Sequence, residues 1–259
     1  GNALKPFKEF VGLDNFRQLF FVKTDFLAAL KNTAYYTVME LVLTIVLAVV
    51  FGVWMQRDRK INRVAQTVFF TPHLVASISC AFIWTWLYNK NDYGLFNTVL
   101  GFFGIPYQSW LNDSKLAMNC VIVMNVWKSI GYYALIILAA LKSIPTEIYE
   151  AAEVDGANSL KRWLYITIPN MKTCFAFLFI TTIINGLSRF TDLFIIGGNS
   201  ATGRPGGSLQ TLLMYIYQYS FEYPQYGMAS AGAMILFVLT FAVTMVNLKM
   251  TGFFKKNND

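Results

Sequence analysis

"GMASAGAMILFVLTFAVTMVNL", residues 227–248, runs through 22 positions without a charged side chain. As a helix it rises about 33 Å, at about 1.5 Å per residue, and so spans the roughly 30 Å hydrocarbon layer of a bilayer. Four further windows read the same way. Residues 34–55 hold one charge, Glu40; residues 67–88 hold none; residues 116–141 hold only Lys128; residues 173–198 hold Arg189 and Asp192. The chain is 56% hydrophobic and 14% charged, against about 25% charged in soluble domains. Helices are the form expected, because lipid offers no partner to free backbone N–H and C=O groups. The alternating ten-residue pattern of an outer-membrane barrel is missing from the sequence. The expected fold class is therefore all-α: a polytopic membrane helix bundle with five transmembrane helices, forming one domain over residues 1–259.

The formal net charge of +7 raises the question of nucleic acid, and its distribution answers it. With alternate sides assigned to successive loops, segments 56–63, 142–172 and 249–259 carry 11 Lys and Arg in 50 residues. The opposite segments, 1–34, 89–116 and 199–227, carry 8 in 91. Basic residues collect on the cytoplasmic side. The first set thus faces inward, the N-terminus faces outward, and the partner implied is membrane lipid rather than nucleic acid. An outward start without a signal sequence is what a further helix ahead of Gly1 would produce. Cys80, Cys120 and Cys174 fall in or beside hydrophobic windows with no metal or disulfide spacing, so they read as small packing residues. The single histidine, His73, lacks partners for metal or acid–base work and reads as hydrogen-bonded packing. Ala229 and Ala233 form a small-xxx-small pair suited to close helix contact.

The outer segments are longer. "FVGLDNFRQLF", from Phe10, spaces its apolar residues as an amphipathic surface helix. Residues 197–208, "GGNSATGRPGGS", hold too much glycine for a helix, and "LQTLLMYIYQYSFEY" after them reads as a short outer helix.

The inner stretch 142–172 contains "YEAAEVDGANSLKRWLYITIP", residues 149–169, the most polar run between spans. Pro145 suits a helix's first turn, and Glu147 and Glu150 sit where the helix dipole favours acids. Gly156 takes the left-handed conformation that ends a helix, Asn158 or Ser159 caps a second, and Pro169 limits its continuation. Ala151 and Ala152 leave the first helix thin on one side, so that a partner's surface can approach closely.

The spacing of Glu150-Ala151-Ala152, Gly156, Ile166 and Ile168-Pro169 resembles the EAA loop of ABC-importer permeases, with Ile168 where leucine is usual. The likeness extends over nearly the whole chain. "FVGLDNF", "FNTVLGFFGIP", "SIPTEIYEAAEVDGA" and "TLLMYIYQYSFEYPQYGMASA" are similar to the maltose-type, oligosaccharide-importing class, which carries a sixth, N-terminal helix. The resemblance implies that the bent helix pair docks on a cytoplasmic ATPase through Glu150, Ala151, Ala152 and Gly156. It implies two ATPase copies, a second EAA-type permease of different sequence, an extracytoplasmic sugar-binding protein and a bacterial or archaeal cytoplasmic membrane. The chain has no G-x-x-x-x-G-K-[ST] phosphate loop, and no glycine is followed by lysine. ATP and magnesium would accordingly be used by the partner, with no cofactor and no metal site in this chain.

Ionisable groups within spans are costly and therefore functional candidates. By likeness to the sugar-lining helix of maltose-type permeases, Tyr132 matches a sugar-contacting tyrosine and Ser129 replaces a glycine. Thr182, Asn185, Gly186 and Arg189 fall at a second sugar-contacting cluster. Asn185 and Arg189 lie four apart on one helical face, with Thr182 three before Asn185. Arg189 either lines the substrate path or pairs with Asp192 three residues on. Lys128 either lines it or snorkels, and Glu40 reads as a helix-packing or interface residue.

The expected function is a permease subunit moving a sugar or oligosaccharide inward by alternating access, powered by a separate ATPase. An ion-gradient-driven secondary transporter is the alternative. It predicts paired repeats and helices broken at mid-membrane, neither of which the sequence shows. An intramembrane enzyme lacks its motif, since no H-E-x-x-H and no Ser–His or Cys–His pairing is present, and no catalytic residue is expected.

Overall fold

α2 (Thr24–Met55) explains the fold's relation to its surroundings. Val38, Val42, Val46 and Val50, four residues apart, are each more than half exposed, whereas Thr33, Thr37, Glu40 and Thr44 are buried. The polar stripe faces inward and the aliphatic ridge outward, the reverse of a helix on a water-soluble globule. A lipid surrounding makes that arrangement favourable.

The fold is a computed structural model describing residues 10–57, 59–91 and 93–251, with side chains described through Lys249. The other helices, in order, are α1 (Asp14–Phe21), α3 (Lys60–Leu74), α4 (Ser77–Leu87), α5 (Leu95–Phe102), α6 (Ala117–Lys142), α7 (Thr146–Val154), α8 (Ser159–Arg162), α9 (Ile168–Asn170), α10 (Lys172–Leu187), α11 (Thr191–Ile196), α12 (Leu212–Tyr217) and α13 (Tyr226–Thr251). Two single-turn π-helices, Trp163–Thr167 and Gln218–Glu222, follow α8 and α12. No strand occurs among the described residues.

Four stretches are long and apolar enough to cross a membrane: Thr24–Met55, Ala117–Lys142, Lys172–Ile196 and Tyr226–Lys249; α3 with α4 makes up to five. Two of the expected spans are interrupted. Residues 67–88 are not one helix: Pro72 removes a backbone donor from the last turns of α3, and Ala76, extended at ψ 139°, restarts the chain at α4. Residues 173–198 break between Leu187 and Thr191. α2 begins ten residues before the apolar window, because the polar and charged residues of its first turns do not oppose helix formation. The inward-facing basic tail beyond Thr251 lies outside the described residues.

Contacts divide the chain into two compact units. The first takes the segments up to Glu40, Val75–Asn125 and Ile183–Ala242; the second takes Leu41–Leu74, Val126–Thr182 and Val243 onward.

In the first unit α1, the start of α2, α12 and the start of α13 enclose a core of Leu19, Phe26, Ala29, Leu212, Tyr215, Tyr219 and Met228. Ala229 is buried there, but Ala233 is exposed. The close approach falls instead at Gly232, where a Cβ would stand 3.2 Å from Ile216 Cγ1. Polar straps fix the glycine-rich outer segment: Asn32 Nδ2 donates to the carbonyls of Gly207 and Gln210, and the Leu212 amide donates to Thr33 Oγ1. The 89–116 segment is organised around fully buried Asn97, which donates to the carbonyls of Asn89 and Gln108 and accepts from Trp110 Nε1. Cys80 and Cys120 are buried and Cys174 is half-buried, none of them in a disulfide.

In the second unit Ile45, Ala48, Tyr133, Ala134, Ile137, Leu141, Ile144, Met171 and Leu178 form the core. α3 and α6 approach so closely that a Cβ on Gly131 would run into the Phe69 carbonyl. His73 stacks flat on Tyr132, with ring centroids 4.4 Å apart and planes 5° apart. Its packing is through the ring face.

Candidate functional site

The inner loop is a helix, a bend and a helix, as its sequence predicts. Pro145 stands just outside α7, at φ −57° and ψ 136°, as the residue before its first turn. α7 ends in a Schellman arrangement: the Gly156 amide donates to Glu153 O at 3.0 Å and the Ala157 amide to Ala152 O at 2.9 Å. Gly156 takes φ +73°. Asn158, rather than Ser159, caps α8, its Oδ1 accepting from the Lys161 amide at 2.9 Å. Pro169 does not stop the second helix. The π-turn before it bonds the Ile168 amide to Trp163 O, and the helix resumes as α9 with the proline in its first turn, where no donor is needed.

The loop is anchored on one side and open on the other. Tyr149 Oη and Thr167 Oγ1 are 2.9 Å apart, and Met171 is buried beside Ile144 with Tyr149 and Trp163 packed against the same core. Glu150 and Ala151 are exposed, Ala152 is half-buried, and Val154, Leu160 and Tyr165 are 89%, 65% and 77% exposed. Apolar side chains so placed outside the spans form an exposed patch of the kind that marks an interaction surface. Arg162 reaches Glu153 at 2.8 Å, a solvent-exposed pair worth little.

A second feature lies in the first unit, at the break between α10 and α11. Asp192, 2% exposed, is its hub. Arg189 Nε and Nη2 reach Asp192 Oδ2 at 3.1 and 3.0 Å, and Asn125 Nδ2 donates to the same oxygen. The Arg189–Asp192 pair anticipated at i, i+3 exists, but across a break rather than within a helix, since α10 ends at Leu187. Thr211 Oγ1 donates to Arg189 O at 2.8 Å and accepts from the Met214 amide, so one hydroxyl braces the break and caps α12. The Tyr36 ring lies 5.9 Å from the Arg189 guanidinium. Glu40, buried, is an electrostatic neighbour of Arg189 and Asp192; the Tyr36 hydroxyl lies beside its carboxylate without meeting hydrogen-bond geometry.

A cavity of about 180 Å³ opens here, lined by Ser77, Asn185, Ser188, Arg189, Phe190, Thr191 and Asp192. Ligand sites commonly measure roughly 300–1,000 Å³, so it is smaller than a site that encloses a whole ligand. Hydroxyls, an amide and a ring face suit a polyhydroxylated ligand.

Of the residues expected to line a substrate path, Asn185 and Arg189 meet at this cavity. Gly186 does not line it; a Cβ there would stand 2.7 Å from Thr37 Oγ1, so glycine admits a close helix approach. Thr182 belongs to the second unit and is buried, its Oγ1 without a hydrogen-bond partner among the described residues. Tyr132, Ser129 and Lys128 also lie in that unit, on α6, with Tyr132 against His73 and Lys128 an electrostatic neighbour of His73. Sequence reasoning passed over Asn125, Tyr36 and the place of Glu40. The 4-3-4 spacing of Thr33, Thr37, Glu40 and Thr44 was the available signal: a polar helical stripe inside an apolar span. No group of three or more potential metal ligands occurs among the described residues.

A family profile described as the binding-protein-dependent transport system inner membrane component matches residues 41–250. The arabinooligosaccharides transport system permease protein AraP of Bacillus subtilis (strain 168) is 30% identical over 95% of this chain and 77% of its own length. The trehalose/maltose transport system permease protein MalF of Thermococcus litoralis is 30% identical over 96% and 82%. Among solved structures, a bacterial ABC transporter involved in import of the acidic polysaccharide alginate superposes with a TM-score of 0.82 at 21% identity, over 96% of this chain and 86% of that one.

Proposed function

The chain belongs to the family of inner membrane components of binding-protein-dependent transport systems, and from that premise we propose that it is a multi-pass permease subunit importing a sugar or oligosaccharide across a bacterial or archaeal cytoplasmic membrane. The family is one of transporter subunits rather than enzymes. ATP and magnesium are used by two copies of a partner ATPase. A second EAA-type permease of different sequence completes the pathway, and an extracytoplasmic binding protein delivers the cargo to the outer segments, including 197–226.

One observation carries the coupling role: Glu150 stands exposed on α7, beside exposed Val154, Leu160 and Tyr165, while the opposite side of the loop is held in the second unit's core. A partner that grips the exposed side moves a segment fixed to the inner ends of α6 and α10 through Ile144 and Met171. Glu150 pairs with a basic residue of the ATPase, Ala151 and Ala152 permit close approach, and Gly156 sets the bend. α6 carries Tyr132, Ser129 and Lys128; α10 carries Thr182 and Asn185, with Arg189 just beyond. These are the proposed substrate contacts, and motion of the two helices exposes them to one side and then the other. Breaks within spans are shared with ion-driven carriers, but the family assignment favours ATP.

Glu150→Ala tests the coupling. Sugar uptake is expected to fall at least tenfold while the chain still inserts and assembles with its partner permease. Wild-type uptake by that variant contradicts the assigned role.

A further inference from the structure

Relatives are named for arabinooligosaccharides, for trehalose and maltose, and for sulfoquinovosyl glycerol, which is sulfonated, and a structural neighbour for an acidic polysaccharide, so family membership leaves the charge of the cargo open. The first unit's cavity bears on it. Its ionisable lining residues are Arg189 and Asp192, joined at 3.0 Å, and Asp192 also accepts from Asn125. Buried Glu40 is the next charge that Arg189 meets. With Glu40 protonated the cluster is neutral; with Glu40 ionised it carries one negative charge. In neither state is it cationic.

We infer that the saccharide unit received at this cavity is uncharged, an inference that rests on the sugar-importer reading above. A carboxylated or sulfonated unit would leave water for a site whose guanidinium is already neutralised. To recruit Arg189 it would have to displace Asp192, leaving a nearly fully buried carboxylate without its cation. A neutral unit meets no such conflict. Asn185, Ser188, Thr191 and Ser77 supply donors and acceptors for its hydroxyls, and Phe190 supplies a flat apolar face beside them. The Arg189–Asp192 pair is then a fixed dipole whose free edges serve hydroxyl groups without charge selection. Asp192 acts as a positioning residue, holding the guanidinium across the break between α10 and α11.

The test is equilibrium binding to the purified permease complex in lipid nanodiscs, without the binding protein, so that only the membrane site is read. Maltotriose and arabinotriose serve as neutral probes, and trigalacturonate and trimannuronate as acidic ones. The expected result is at least about tenfold tighter binding of a neutral probe than of either acidic probe. Asp192→Asn removes the carboxylate bonded to Arg189 and makes the cluster one unit more positive in either state of Glu40, so it narrows that gap by strengthening acidic binding. Asp192→Ser, which also removes the carboxylate, serves where Asp192→Asn fails to assemble. Equal or tighter acidic binding by the wild type overturns the inference while leaving the sugar-importer reading intact. An assembled variant that does not strengthen acidic binding also overturns it. Binding of none of the four probes overturns the sugar site itself, and the inference with it.

Discussion

Gly156 holds φ +73°, and no atom lies within 4 Å of where its Cβ would stand. Space is therefore not the constraint; backbone conformation is. An L-residue there costs about 1–2 kcal/mol, and asparagine tolerates the left-handed region better than alanine. Gly156→Ala is expected to lower uptake and thermal stability in detergent, with Gly156→Asn closer to wild type; equal behaviour of the two would separate the bend from the backbone strain argued here. At this scale the sequence was most legible where the chemistry is local. Gly156 and Asn158 declare their roles through neighbours three or four residues away. Asp192 does not: it is defined by Asn125, 67 positions earlier, and by Glu40, pairings that only the fold brings together.

The helices show where length and composition suffice and where they fail. The uncharged 227–248 window became α13 nearly residue for residue. Residues 67–88 and 173–198 also read as apolar windows but are broken, because average hydropathy does not register Pro72 or the polar bracing around Arg189. That bracing has a measurable worth. Thr211, fully buried, both caps α12 and donates to Arg189 O. Thr211→Val is expected to destabilise the protein by about 1–2 kcal/mol, read as a lower melting temperature in detergent. The contact of α3 with α6 is tighter still. Gly131→Ala places a methyl against the Phe69 carbonyl, and overpacking of this kind costs about 1–3 kcal/mol or more. A sharp loss of folded yield is expected; a wild-type melting curve would show that the helices separate without cost.

For the whole molecule, the sequence carried the class of protein through three independent signals: five apolar windows, basic residues concentrated on alternate loops, and one polar loop with the EAA spacing. What it left out was the placement of polar residues relative to one another within the bundle, which depends on helix rotation and therefore on packing. The central claim is that this chain moves its cargo with energy supplied by another polypeptide through the 150–169 loop. The most direct measurement is a mild-detergent purification of the tagged full chain from its native cell, identifying every protein that comes with it and assaying the complex for sugar uptake after reconstitution. The account predicts a phosphate-loop ATPase and a second EAA-bearing permease, with uptake that requires ATP and is lost with Glu150→Ala. Recovery of this chain alone, active in uptake driven by an ion gradient, would contradict it.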